Sequence, residues 1–326
     1  MSRLPECLRL MARDGVDALV LGREANARIV ADTTRLWLAG TRPFAPGCVV
    51  VRTTGAVHVL ANTDDAVPGG FPKECLFGIT WNADKLVAAL AAMPGLSGAR
   101  RVAVDGMTPA IAGLLARVTP AAQLVDANAL LSELWREPDA TALARVTAAA
   151  DVAAAGLAAM VAELRPGVHP RVLRGACAAA FAAAGVTTPA FEAVATPLDP
   201  HSSTWLPPDR PLAAGETVVL RAGALREGWE ASLARTYVVG ASAEVVAPPE
   251  GWDALLGACV AGATVGGLRG RDAVVYGIGR GVEPWDDEFV LAPGLLCALE
   301  HFDETSLRQD VLCVTEQSPT VITRGE

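Results

Sequence analysis

Proton transfer at neutral pH calls for a side chain that titrates there, and the chain has four histidines: His58, His169, His201 and His301. They are isolated from one another in sequence. His301 directly follows Glu300 at the end of a β-rich run, so the two side chains are expected on opposite faces of a strand. His201 sits in Pro200-His201-Ser202-Ser203-Thr204-Trp205-Leu206-Pro207-Pro208-Asp209-Arg210, a stretch crowded with turn formers. An exposed loop histidine and a proton-transfer group are both open readings there. The seven cysteines (Cys7, Cys48, Cys75, Cys177, Cys259, Cys297, Cys313) are odd in number, scattered and mostly set in apolar runs, with no C-x-x-C pair. They read as buried thiols, without zinc or redox spacing. Gly277-Ile278-Gly279-Arg280-Gly281 does not have the G-x-G-x-x-G spacing, and Val282-Glu283-Pro284 does not open a helix behind it, so a phosphate cradle is rejected.

Elements able to position such groups follow from periodicity. Leu4 to Asp14 is amphipathic and is stopped by Gly15. Val16 to Leu21, Cys48 to Arg52, Val57 to Leu60 and Arg101 to Val104 read as short strands, with Asn82 to Met93 and Pro109 to Val118 helical. The pattern changes around Glu133 to Pro138. Beyond it, apolar residues recur at Leu143, Val146, Ala150, Ala153, Leu157, Met160, Val161 and Leu164, the stripe of a long helix. Arg165-Pro166-Gly167-Val168-His169-Pro170 breaks it, and a second helix runs on to Gly185. The remainder is strand and turn: Phe191 to Thr196, Thr217 to Ala222, Trp229 to Val239, Leu295 to Glu300 and Gln309 to Thr315, with a helix near Trp252 to Thr264. Glu230 reads as a solvated strand position. Two domains are expected, 1–135 and 136–326.

Composition narrows the classes. At 326 residues, 52% hydrophobic and 19% charged, the chain can bury a core in each domain, which excludes dominant disorder. A net charge of -9 gives no global attraction to nucleic acid or an anionic membrane. The Ala-rich run from Val146 to Leu164 carries Asp151 and Glu163, so no membrane span is expected. The start, Met1-Ser2-Arg3-Leu4-Pro5-Glu6-Cys7, is followed by Arg9, Arg13 and Asp14 and has no apolar secretory core, so a cytoplasmic location is expected.

Four segments together resemble the pita-bread (M24) family, which includes methionine aminopeptidase, aminopeptidase P, prolidase and creatinase. They are the helix, Arg165-Pro166-Gly167 turn and helix; Asp209 to Glu216 leading into a strand, then Arg235-Thr236-Tyr237-Val238-Val239-Gly240; Tyr276 to Gly281 followed by Ala292-Pro293-Gly294-Leu295 up to Glu300; and Gln309 to Glu316. The resemblance spans about residues 135–320. It implies an α+β fold in which a C-terminal pita-bread domain follows a smaller α/β domain like that of creatinase and prolidase.

The family resemblance also implies two metals held by two aspartates, a histidine and two glutamates. In this sequence those positions carry Arg221, Ser232, Tyr276, Glu300 and Gln309, of which only Glu300 keeps the implied type. A further family histidine falls on Glu283 or beside it, and the stretch between Ser232 and Tyr276 is shorter than the family's. No metal and no cofactor are therefore expected. Creatinase resembles the peptidases in fold but cleaves a C–N bond without metal, and its proton-shuttling histidine lies in the loop that His201 occupies here. Creatine hydrolysis itself is not expected, because the glutamates creatinase places at Ala234 and Gln309 are missing. The expectation is a metal-independent, creatinase-like hydrolase or lyase acting on a small carboxylate-bearing compound. His201 would be acid/base, Glu300 would share the proton, and Arg221 and Arg280 would hold the anion, with Tyr276, Glu283, Gln309 and Ser232 around it. The alternative is a non-catalytic pita-bread protein binding a ligand or partner through the same region. A homodimer is implied by the resemblance alone.

Overall fold

In the computed structural model, which describes residues 3–33, 46–61, 67–78, 80, 82–135, 140–199, 207–240, 242–278 and 283–323, the chain divides into two compact units, Met1–Arg136 and Glu137–Glu326. In the first unit, α1 (Leu4–Arg13) has proline in its first turn and buries Cys7, Leu10 and Met11. Gly15, at φ +65°, turns the chain into β1 (Ala18–Leu21), whose residues are all buried and so need cover on both faces. There follow α2 (Glu24–Ala31), β2 (Cys48–Val51), β3 (Ala56–Ala61), β4 (Leu76–Gly78), α3 (Ala83–Ala91), β5 (Arg101–Val104), α4 (Pro109–Val118), β6 (Gln123–Asp126) and α5 (Asn128–Trp135). The described strands lie in the order β4-β3-β2-β1-β5-β6, with β2 antiparallel to both its neighbours and the other pairings parallel.

Alternation along β1 divides the core. Leu19 and Leu21 pack with residues of α1, α2 and α5, whereas Ala18 and Val20 pack with Leu86 and Leu90 of α3 and Leu115 of α4. His58, buried in β3, meets Phe77 edge-on at 5.8 Å between ring centroids, and among the described residues neither of its ring nitrogens has a hydrogen-bond partner.

The second unit begins with α6 (Ala140–Glu163) and α7 (Pro170–Ala183). Length and composition alone would let α6 cross a membrane, but its apolar side is packed against α7 and two strands of the sheet that follows. Being covered from more than one direction widens its buried side. Ala142, Ala149, Val152 and Gly156 join the expected stripe, while Leu143, counted in that stripe, is 37% exposed. The two helices pack tightly at Gly156, where a Cβ would lie 2.4 Å from Phe181 Cε1 and 2.8 Å from Cys177 Sγ of α7.

The chain continues through β7 (Val194–Pro197), β8 (Thr217–Arg226), β9 (Trp229–Val238), β10 (Glu244–Val245), α8 (Trp252–Ala258), α9 (Val265–Arg269), β11 (Ala273–Gly277), β12 (Glu283–Pro284), β13 (Leu296–Phe302), β14 (Leu307–Cys313) and β15 (Thr320–Val321). The helix expected near Trp252 to Thr264 ends at Ala258, because the chain turns through Gly262 at φ +88° before α9 begins. The sheet runs β12-β11-β13-β14-β9-β8-β7, with β10 on β9 and β15 on β14. Leu220, Ala222, Leu233 and Tyr237 pack with α6 and α7 on one face, and Cys297, Leu299 and Leu312 pack with Trp252, Leu255 and Leu268. The alternate residues point the other way, and these carry the site.

Candidate functional site

Partners directly opposite in an antiparallel ladder share a face. The registers Arg221↔Ala234, Ala234↔Gln309, Gln309↔Glu300 and Glu300↔Val274 therefore lay one row across β8, β9, β14, β13 and β11. The neighbouring row on the same face holds Gly223, Ser232, Ala298 and Tyr276. The small Gly223 and Ala298 leave room for larger side chains to reach across. Thus Arg221, Ser232, Tyr276, Glu300 and Gln309, far apart in sequence, are brought together by strand register.

The contacts form one network. Arg221 Nη2 donates to Tyr276 Oη at 2.9 Å and lies 3.3 Å from Glu300 Oε2. Gln309 Nε2 donates to Ser232 Oγ at 2.6 Å and to Tyr276 Oη at 2.8 Å. Phe191 lies under the Arg221 guanidinium, with 4.7 Å from Cζ to the ring centroid, and its ring fills the space a Cβ at Gly223 would take. Burial pushes the Tyr276 phenol up to about 12, with Arg221 opposing, so it is a neutral hydrogen-bonding group at neutral pH. Burial also raises the Glu300 carboxyl above its ordinary value, against the pull of Arg221. Among the described residues, Arg221 Nε, Glu300 Oε2 and Gln309 Oε1 are buried without a hydrogen-bond partner, so the Arg221–Glu300 contact is coulombic and is not a well-aligned hydrogen bond.

Two features were not anticipated. Glu230, read as a solvated strand position, is half-buried, stands on the site face two residues before Ser232, and its charge helps hold the Tyr276 proton on. Phe191, expected in a strand, precedes β7 and serves as the platform for Arg221. A repeated small residue on a strand, as at Gly223, is the kind of signal that points to such a platform. His301 turns to the opposite face as expected, with Nδ1 3.1 Å from the Asp272 carbonyl and Nε2 3.0 Å from the Glu250 carbonyl. His201 and Arg280 lie outside the described residues, as does Trp205, and of Glu283 only the backbone, paired with Gly277 in β12, is described. The local positive charge expected at this centre is offset in the described part, where Glu300 faces Arg221.

The side chains present do not suit the dinuclear metal centre that the resemblance implies. At the five positions the resemblance implies they supply one carboxylate, Glu300, with a permanently charged guanidinium beside it, and divalent ions need several carboxylate or imidazole donors. Among the described residues no group of three or more His, Cys, Asp or Glu is placed to hold a metal.

The comparisons agree with this architecture. Residues 144–269 match the model of metallopeptidase family M24. No curated protein matches the chain. Among solved structures, a prolidase from Pyrococcus horikoshii OT3 is 15% identical with a TM-score of 0.79, over 99% of this chain and 98% of that one. A Xaa-Pro dipeptidase from Bacillus anthracis is 16% identical, TM-score 0.75, over 99% and 97%. An X-Pro aminopeptidase from Thermotoga maritima is 13% identical, TM-score 0.76, over 100% and 98%. At such identities the likeness is one of fold. The shared architecture gives the second unit the pita-bread fold of these structures, and residues 144–269 are similar to metallopeptidase family M24.

Proposed function

We propose that this chain is a metal-independent pita-bread protein that binds a small carboxylate-bearing compound at the remodelled centre of its second unit and hydrolyses no peptide. The observation supporting this is the Arg221 guanidinium lodged between Tyr276 and Glu300. A cation fixed at that place repels a metal ion, and the phenol, amide and hydroxyl around it include no activated nucleophile. The part of Arg221 left accessible is suited to an anionic head group. Relatives in fold bear the names prolidase and Xaa-Pro dipeptidase, so the informative assay offers Xaa-Pro dipeptides with added Mn²⁺. No turnover is expected, while a panel of small carboxylates raises the melting temperature of the wild type, with at least one response lost in Arg221→Met. Metal-dependent dipeptide cleavage would overturn the reading.

A second reading is favoured by the raised Glu300 carboxyl, a group fit to carry a proton at mildly acidic pH. It is the creatinase-like hydrolase or lyase, with Glu300 and His201 sharing the proton. Turnover of any small carboxylated C–N compound that Glu300→Gln abolishes without lowering the melting temperature would put this reading ahead. A homodimer accompanies either reading, and light scattering at the mass of a single chain would remove it.

A further inference from the structure

A cavity of about 420 Å³ lies elsewhere in the second unit, where β9 changes partner along one edge. β10 pairs with Tyr237 and Val238, and β14 pairs with Ala234, leaving Arg235 and Thr236 at the junction. There the Thr236 hydroxyl substitutes for a backbone partner, accepting from Leu307 N at 2.8 Å and donating to Leu307 O at 3.1 Å. The strands part, and the gap is walled by Val245, Val246, Ala247, Pro248 and Leu307, with Arg308 beside them.

Charged side chains cluster at this junction. Asp310, fully buried, receives Arg235 Nη2 at 2.7 Å on one oxygen and Arg308 Nε at 2.8 Å on the other. Arg235 is sequestered further, because its Nη1 donates to the carbonyls of Ala234 and Gln309, each at 2.8 Å. Arg308 is different. Its side chain is 27% exposed, its Cζ stands 5.2 Å over the Trp252 ring, and among the described residues it donates from Nε alone. One carboxylate and one aromatic face thus hold the guanidinium at the cavity wall, and its terminal nitrogens, without a hydrogen bond among the described residues, form a fork suited to two parallel hydrogen bonds. A guanidinium fork beside an aliphatic wall suits a ligand with one carboxylate and a short hydrocarbon part.

We propose that this cavity binds a small aliphatic monocarboxylate, its carboxylate gripped by the terminal nitrogens of Arg308 and its aliphatic part against Val245, Val246, Ala247 and Pro248. The volume is ample for such a molecule. This site is separate from the Arg221 centre and does not depend on that reading. The test is calorimetric titration of the full chain with isobutyrate, with inorganic phosphate as the comparison. Saturable isobutyrate binding is expected, weakened about tenfold or more in Arg308→Gln, weakened also in Val245→Asp, which leaves the ion cluster intact, and unchanged in Arg221→Met. Absence of saturable binding, binding that persists in Arg308→Gln, or phosphate binding as tightly as isobutyrate would each overturn the proposal. Loss in Arg221→Met alone would overturn it too, while supporting the other site.

Discussion

A guanidinium keeps its charge at any pH a folded protein meets, so Arg221 fixes the electrostatics of its site, and Glu300 must adapt to it. Removing the arginine is expected to cost roughly 3–5 kcal/mol near neutral pH, because a buried carboxylate loses its partner. The sign with pH follows from the raised Glu300 carboxyl. A carboxyl that holds its proton more tightly when folded contributes stability below its unfolded value, and that contribution is lost as pH rises through the folded value. The Arg221→Met penalty should therefore shrink toward pH 5 and be partly recovered in Arg221→Met/Glu300→Gln, as read from urea melts at several pH values. His58 behaves oppositely. Buried and unpartnered, it is held below its ordinary 6.5, so stability is present above that value and is lost as pH falls. In thermal melts between pH 7.5 and 5, His58→Leu should lose this acid-side decline; an unchanged slope would contradict it. Arg221, Ser232, Tyr276, Glu300 and Gln309 were legible in the sequence because each falls on a family motif. Glu230 and Phe191 were not, since their roles arise from cross-strand register and from a ring laid over Gly223.

Elements were legible where one periodicity dominated. The boundaries of β5 and α4 follow their apolar runs, whereas β6, Gln123-Leu124-Val125-Asp126, is exposed or half-exposed at every position and carries little alternation to read. The helix α6 illustrates the reverse difficulty, because cover from α7 and the sheet spreads burial beyond a single stripe. Its contact with α7 gives a test at this scale. Alanine is the better helix former by about 1 kcal/mol, yet at Gly156 its Cβ would press into Phe181 and Cys177. Gly156→Ala should destabilise the protein by roughly 1–3 kcal/mol in denaturant melts, and Phe181→Leu should rescue part of the loss. A more stable Gly156→Ala variant would show that the two helices can separate at no cost.

Across the whole molecule, 27 basic and 36 acidic residues give an acidic chain, but its informative charges are the few arginines inside the second unit. Among the described residues, Arg221 pairs with Glu300 at the first site, and at the β9 junction Asp310 accepts from both Arg235 and Arg308. The resemblance made the fold legible over most of the second unit, and it also marked where implied acids are replaced. The β9 junction was beyond reach from sequence, since it exists only because two strands succeed each other along one edge. The central proposal is that the side chains around Arg221 leave this centre unable to hold metal. Elemental analysis of the purified protein, dialysed mildly after incubation with Mn²⁺, Zn²⁺ and Co²⁺, tests this most directly. Metal far below one ion per chain is the predicted result, and a stoichiometric complement of one or two ions would contradict it.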